Sequence, residues 1–219
     1  MNRFSRTSVR LCLALVPTLG MAVACGVDSG SAPATTTSAA DMPEYTIRWT
    51  TPEEELLTAD GTFVRAFWES FFRASLAPGG AIAAYPGYDV ANRGAVSRPP
   101  KTAVSDQEYR TIFLGLGGVT TLPDGTARAT LCSSSDRGGR AGGYSFLDFV
   151  RDGAQPPSGQ SGSAQVPRTN VFGGWYAVRV SNASADPAAQ QACVGTRPAN
   201  PVERGQDPLP AYPGWPASQ

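Results

Sequence analysis

The chain has 219 residues, with eighteen basic and eighteen acidic side chains, no histidine, 24 glycines and 19 prolines. Near-neutral charge offers neither a basic footprint for nucleic acid nor a polybasic patch for anionic lipid, so both partner classes are disfavoured. Without histidine, the usual base of a nucleophilic triad and the commonest nitrogen ligand for zinc are both missing.

The N-terminal residues read as an export leader. Arg3, Arg6 and Arg10 precede an apolar stretch from Leu11 to Val23, and Ala22-Val23-Ala24-Cys25-Gly26 has the layout of a lipobox. This predicts a lipoprotein signal peptide over residues 1–24. Cys25 is then the lipid-attachment site, and the protein is extracytoplasmic, held at the cell membrane by its acyl chains. Two or three such chains give durable attachment without an amphipathic helix. Ala22 stands where these boxes usually carry leucine, so an ordinary secretory peptide cleaved after Ala24 is the main alternative. A spanning helix needs ~20 apolar residues, more than this run supplies. All eighteen acidic residues follow Cys25 whereas three basic ones fall in the leader, which leaves the mature chain mildly acidic. Arginine outnumbers lysine seventeen to one, Lys101 being the lysine, a bias of GC-rich genomes such as those of actinobacteria.

Residues 25–43, rich in Ser, Thr, Ala and Gly, lack the apolar surface needed to order themselves and read as a disordered tether. One domain over residues 44–196 follows, large enough for a proper core. Its clearest expected element is a long helix. Thr51-Pro52-Glu53-Glu54 supplies an N-cap, a proline at the first helical position and an acid three residues after the cap. Apolar residues recur at Leu57, Val64, Phe67, Trp68, Phe71, Phe72 and Leu76. Gly61 interrupts that run, as a bend or a close approach, and Pro78-Gly79-Gly80 ends it. A short second helix is expected over Ala81 to Tyr85.

Strands are expected from Tyr109 to Thr121, from Thr126 to Cys132 and from Val171 to Val180, with Pro123-Asp124-Gly125 as a turn. Tyr144 to Val150 fits a strand or one helical turn. Residues 151–168 read as a polar loop. Residues 197–219 form a Pro-rich C-terminal tail of extended chain, in which Tyr212 and Trp215 are two anchors for the domain or for a partner. Helices followed by antiparallel strands read as α+β.

With Cys12 in the leader and Cys25 acylated, Cys132 and Cys193 remain as a pair. In an oxidising compartment they read as one disulfide, worth roughly 4 kcal/mol in the chain-entropy model. Two free thiols are the alternative, since a zinc site lacks ligands.

The order of elements resembles the NTF2-like (SnoaL-like, cystatin-like) α+β cone, in which a long N-terminal helix packs across a curved antiparallel sheet. The form it looks like is that of small exported lipoproteins of actinobacteria. The residues carrying the resemblance are Asp60-Gly61-Thr62-Phe63-Val64-Arg65-Ala66, Ala84-Tyr85-Pro86-Gly87-Tyr88, Thr130-Leu131-Cys132 and the Trp175 segment with a cysteine after it. Enzymes of that family generally use a His or Asp inside the cone, so the resemblance implies a fold here and no activity.

Several stretches carry a sharp and a bland reading. Gly115-Leu116-Gly117-Gly118 lacks the third glycine of a dinucleotide loop and fits a bend in the sheet. Arg137 and Arg140 could hold an anion but fit a solvated loop. Ser133-Ser134-Ser135 has no histidine base, and the Asn182-Ala183-Ser184 sequon carries no weight in a bacterium. Glu69, Asp148 and Asp152 are the carboxylates that acid–base chemistry would have to use. The aromatic set reads first as core. In its sharper form Trp68, Phe72, Tyr85 and Trp175 line a cavity for a small apolar ligand. The expected function is a lipid-anchored binding module of the cell envelope without cofactor, metal or catalytic residues. A scaffold recruiting an envelope protein partner is the alternative, and a carboxylate-dependent enzyme the third.

Overall fold

The structure, a computed structural model, describes residues 46–76, 83–97, 111–135, 143–196 and 209–217. The proposed leader, Cys25, the tether, Lys101 and the Arg137/Arg140 loop lie outside these.

The described chain is an α+β fold around a five-stranded open, curved sheet in the order β1-β2-β3-β4-β5. The strands are β1 (Thr46–Trp49), β2 (Thr111–Thr121), β3 (Ala127–Ser135), β4 (Tyr144–Val150) and β5 (Tyr176–Asn182). Helices α1 (Glu53–Leu56), α2 (Ala59–Leu76) and α3 (Tyr88–Asn92) lie between β1 and β2, and α4 (Pro187–Ala192) follows β5. From β2 to β5 every pair is antiparallel, whereas β1 runs parallel to β2. A parallel pair needs a long crossover, and the three helices supply it.

Several expectations need correction. The first described element is a strand, not a helix: Thr46-Ile47-Arg48-Trp49 alternates β-formers and pairs with Thr111–Leu114. Thr51 does not cap a helix; its hydroxyl accepts from the Leu116 amide at 2.6 Å and carries the β1–β2 ladder past the end of the strand. The expected single helix is two. Pro52 is the cap position of α1, and Thr58 starts α2 by accepting from the Gly61 amide at 3.0 Å. Gly61 makes the close approach: a Cβ there would collide with the Glu55 carbonyl and the Leu56 backbone. The described part of 81–85 is not α-helical, and α3 begins after Pro86-Gly87 instead of ending there.

Helix α2 is buried on all sides from Gly61 to Ser70, the pattern of a helix enclosed by the fold. Phe63 stacks on Phe149 of β4 with centroids 4.8 Å apart and meets Phe172 edge-on at 6.0 Å. Leu114, Leu131, Leu147 and Ala177 complete the floor of this layer from the inward positions of the strands. Strand β5 starts later than expected, because residues 171–175 form a turn that drops Val171, Phe172 and Trp175 into the core.

Helix α4 covers part of the opposite face of the sheet. Asp186 caps it, accepting from the amides of Ala188 and Ala189 at 2.8 and 3.1 Å, and Pro187 takes the first position. The disulfide Cys132–Cys193 pins α4 to β3 across a Cα separation of 5.7 Å. The Gly115–Gly118 run is the expected bend, with a register shift between Leu116 and Val119. It is also a seat: a Cβ on Gly117 would press on Ala192, and one on Gly115 on Thr196. Replacing both Cys132 and Cys193 by serine is expected to cost about 2–4 kcal/mol. Urea unfolding would show a lowered midpoint, matched by dithiothreitol treatment of the unfolded wild type before refolding.

Candidate functional site

Two charged residues interrupt the long uncharged stretch between Asp60 and Arg73, and they sit four apart on α2: Arg65 and Glu69. That spacing puts both on one side of the helix, opposite β1 and the C-terminal segment. Both are buried, at 0% and 3% exposure. A buried charge needs partners on every side, and the fold brings them from four regions of the chain.

Glu69 Oε1 accepts from the indole of Trp49 on β1 at 2.7 Å. Its Oε2 accepts from the Tyr85 hydroxyl at 2.5 Å and from the indole of Trp215 at 2.7 Å. The Arg65 Nε lies 3.7 Å from Oε1. The other guanidinium nitrogens of Arg65 donate to main-chain carbonyls, to Gln160 at 2.7 Å and to Pro213 and Gly214 at 2.8 and 3.1 Å. Its plane lies over the Trp215 ring, 4.3 Å from the centroid. Desolvation lowers the Arg65 pKa and the charge of Glu69 opposes that fall. Burial pushes the Tyr85 hydroxyl well above its ordinary value, and the charge of Glu69 adds to the shift. Tyr85 therefore stays a neutral donor.

The Pro-rich tail thus takes the first of its two expected destinations over residues 209–217, with Trp215 anchored onto the domain. The segment runs beside β1, where Trp49 N–H donates to the Tyr212 carbonyl at 2.6 Å, and it pairs with the 160–166 loop through Ala164 and Trp215. A narrow cleft bounded by Glu69, Arg73, Tyr85, Gln165 and Trp215 remains beside it, with about 10 Å³ of room for a water's centre. That is one water's worth of space.

The four residues expected to line a ligand cavity fall in three places. Trp68 and Phe72 pack together with Phe71 on the far part of α2, and Trp175 stacks with Phe149 and tilts onto Phe63. Tyr85 meets Trp215 edge-on. Of the three carboxylates, Glu69 has both oxygens taken up as described, and Asp152 is exposed. Asp148 lies in a cross-strand row between Arg128 on β3 and Arg179 on β5, bound by Arg128 at 2.6 and 2.9 Å and by Arg179 at 3.0 and 2.6 Å. Burial alone would raise the Asp148 carboxyl, but the two guanidiniums outweigh it and hold it below the usual range. Among the described residues no three His, Cys, Asp or Glu side chains gather as metal ligands would.

No protein-family model, curated protein or solved structure matches this chain. The geometry therefore carries the functional argument by itself.

Sequence reasoning reached Glu69 only as one of three unpaired candidates. It missed Arg65, Trp49 and the whole convergence on Glu69, although the Arg65/Glu69 spacing in an uncharged helical stretch was a usable signal. Glu69→Gln turns an acceptor into a donor facing donors and leaves Arg65 without its counter-charge. The expected loss is about 3–5 kcal/mol of stability, read by denaturant unfolding with Trp fluorescence. Tyr85 supplies a pH test. Its folded pKa exceeds the unfolded one, so its contribution is whole below pH ~10 and is lost as pH rises through the folded value. Alkaline unfolding followed at several pH values should show that slope, and Tyr85→Phe should remove it.

Proposed function

We propose that this chain is a lipid-anchored, extracytoplasmic accessory protein of the cell envelope that acts by docking to a protein partner. The reading is supported most by the filled layer between α2 and the sheet. Phe63, Phe67, Phe149, Phe172 and Trp175 are buried there ring against ring. A small-molecule site needs roughly 300 Å³ or more, and the described cleft beside Glu69 holds about one water. Docking on the outer surface fits this better than a ligand held inside.

The disulfide suits an oxidising, exported setting. Among the described residues no helix is long and apolar enough to cross a membrane, and the acyl chains on Cys25 remain the proposed means of attachment. An α2 packed across a curved sheet is compatible with the NTF2-like kinship, which stays part of this proposal. The exposed apolar side chains Val90 on α3, Val178 on β5 and Val194 after α4, at 72%, 46% and 70% exposure, are the places to look for contact.

The full chain, expressed in a bacterial host that processes lipoproteins, would carry a photo-crosslinking residue at Val90, Val178 or Val194. The expected result is a discrete adduct with one envelope protein, lost with Cys25→Ala, which should also abolish palmitate labelling and free the chain from membranes. Failure of all three positions to form an adduct, together with a rise of several degrees in Tm on adding apolar metabolites or lipids, would replace docking by ligand holding.

A further inference from the structure

Residues 209–217 are held as a separate peptide would be. Thr111 Oγ1 accepts from the Leu209 amide at 3.2 Å, and the Thr46 hydroxyl donates to the Leu209 carbonyl at 2.5 Å. Arg48 donates to the Pro210 carbonyl at 2.5 Å. Tyr212 exchanges main-chain bonds with Ile47 and Trp49, at 3.3 and 2.6 Å. Arg65 takes the carbonyls of Pro213 and Gly214, and Trp215 exchanges both its main-chain bonds with Ala164 at 2.9 and 2.7 Å. Contacts of this kind read main-chain atoms, as in strand addition to a sheet edge, where the backbone gives affinity and a few pockets give specificity.

The pockets read a short pattern. Trp215 is the one large side chain of the segment that is fully buried, clasped between Arg65, Glu69 and Tyr85. Gly214 passes so close to the Gly162 carbonyl that a Cβ would collide with it. Pro213 is buried, whereas Pro210 and Tyr212 are exposed. The groove therefore demands Pro-Gly-Trp and is less strict before it, where the Tyr212 side chain adds surface contacts, its hydroxyl donating to Glu53 at 3.2 Å and its ring lying under Arg48.

The connection lets the segment leave. Thr196, whose carbonyl accepts from the Thr50 hydroxyl, and Leu209, held by Thr46, sit at the two ends of one short strand. Four residues of strand span ~13 Å, while the twelve residues 197–208 can reach ~40 Å.

We propose that this groove is an exchangeable docking site for an extended segment of a partner protein presenting Pro-Gly-Trp, occupied in cis by residues 209–217 until that segment displaces them. The inference rests on the docking reading above and names its site and ligand. A cis segment on so short a connection competes at an effective concentration of about millimolar. The wild-type groove is thus closed to weak ligands and opens to one that is tight or concentrated at the membrane surface.

The probe is a fluorescein-labelled peptide copying residues 209–217, titrated against the full-length protein and read by anisotropy. Wild type should take it up only in the millimolar range. Full-length Trp215→Ala, whose own anchor is gone, should bind it at least tenfold more tightly, and Tyr212→Ala, altered only at an exposed position, a few-fold more tightly. A peptide with alanine in place of Trp215 should not bind. Absence of uptake by the folded variants, or equal uptake of the two peptides, overturns the proposal. If Trp215→Ala fails to fold, Tyr212→Ala decides alone. Valine adducts without peptide uptake would leave docking standing and the groove permanently shut, so the two failures are distinguishable.

Discussion

One buried carboxylate sets the arrangement of this fold. Glu69 lies at the meeting point of β1, α2, the turn carrying Tyr85 and the C-terminal segment: Trp49, Tyr85 and Trp215 each donate to it, and Arg65 on α2 faces it as an ion pair at 3.7 Å. Taking a carboxylate and a guanidinium out of water costs several kcal/mol per ion, and their mutual attraction repays this only if the remaining lone pairs and protons are satisfied. The requirement is strict in its geometry. A chain arrangement in which Trp49 or Trp215 misses its oxygen leaves a charge under-bonded in an apolar surround, and the low local dielectric magnifies that penalty. The cluster therefore selects one register for the C-terminal segment, where an apolar core would accept several. The two indoles serve twice, filling volume with their rings and answering the carboxylate with their N–H groups.

The two faces of the sheet use different means of restraint. The inner face relies on aromatic packing against α2. The outer face depends on cross-links: the Arg128–Asp148–Arg179 row ties β3, β4 and β5 side by side, and Cys132–Cys193 ties α4 to β3. Arg128 also lies over the Phe146 ring, 4.8 Å from its centroid, shielding an outward aromatic on β4. With α4 only six residues long, much of that face's order rests on these bonds, beside the burial of Phe113, Cys132 and Ala189. Such a division leaves the inner layer free to pack tightly.

What the sequence disclosed follows the range of the interactions involved. Strands β2 and β3 and the Pro123-Asp124-Gly125 turn are written in local alternation and turn chemistry, and they appear close to where those signals place them, while Tyr144–Val150, which local pattern left between strand and helical turn, is strand β4. The disulfide followed from counting cysteines. Strand β1 is four residues long and its partner begins 65 positions away, so no local pattern outweighed the helix signal that follows it. The proposed N-cap at Thr51 was a plausible local motif overruled by a distant one, because the Leu116 amide claims its hydroxyl. Trp175 looked like a strand residue by propensity, yet the turn before β5 places it in the core from outside the ladder. At the candidate site the loss was greater. Proline-rich composition said nothing about the destination of residues 209–217, since Trp215 meets Glu69 across 146 positions of chain.

The same long-range contact determines how firmly the C-terminal segment is held. Each main-chain hydrogen bond contributes about 1 kcal/mol net, and each ordered residue loses about 1–2 kcal/mol of backbone freedom. Over an extended segment these two terms nearly offset each other. What remains is the burial of one indole, of the order of 150–250 Å² at about 25 cal/mol per Å², with the indole N–H bond to Glu69 added. A segment that depends so heavily on Trp215 and on the Arg65 contacts around it is loosened when that anchor goes, with Arg65 and Glu69 then exposed to water, while the ring-packed layer beneath α2 keeps its own contacts. Exchange at this groove would thus alter the surface of the molecule without unfolding its centre, which is what the proposed docking role requires.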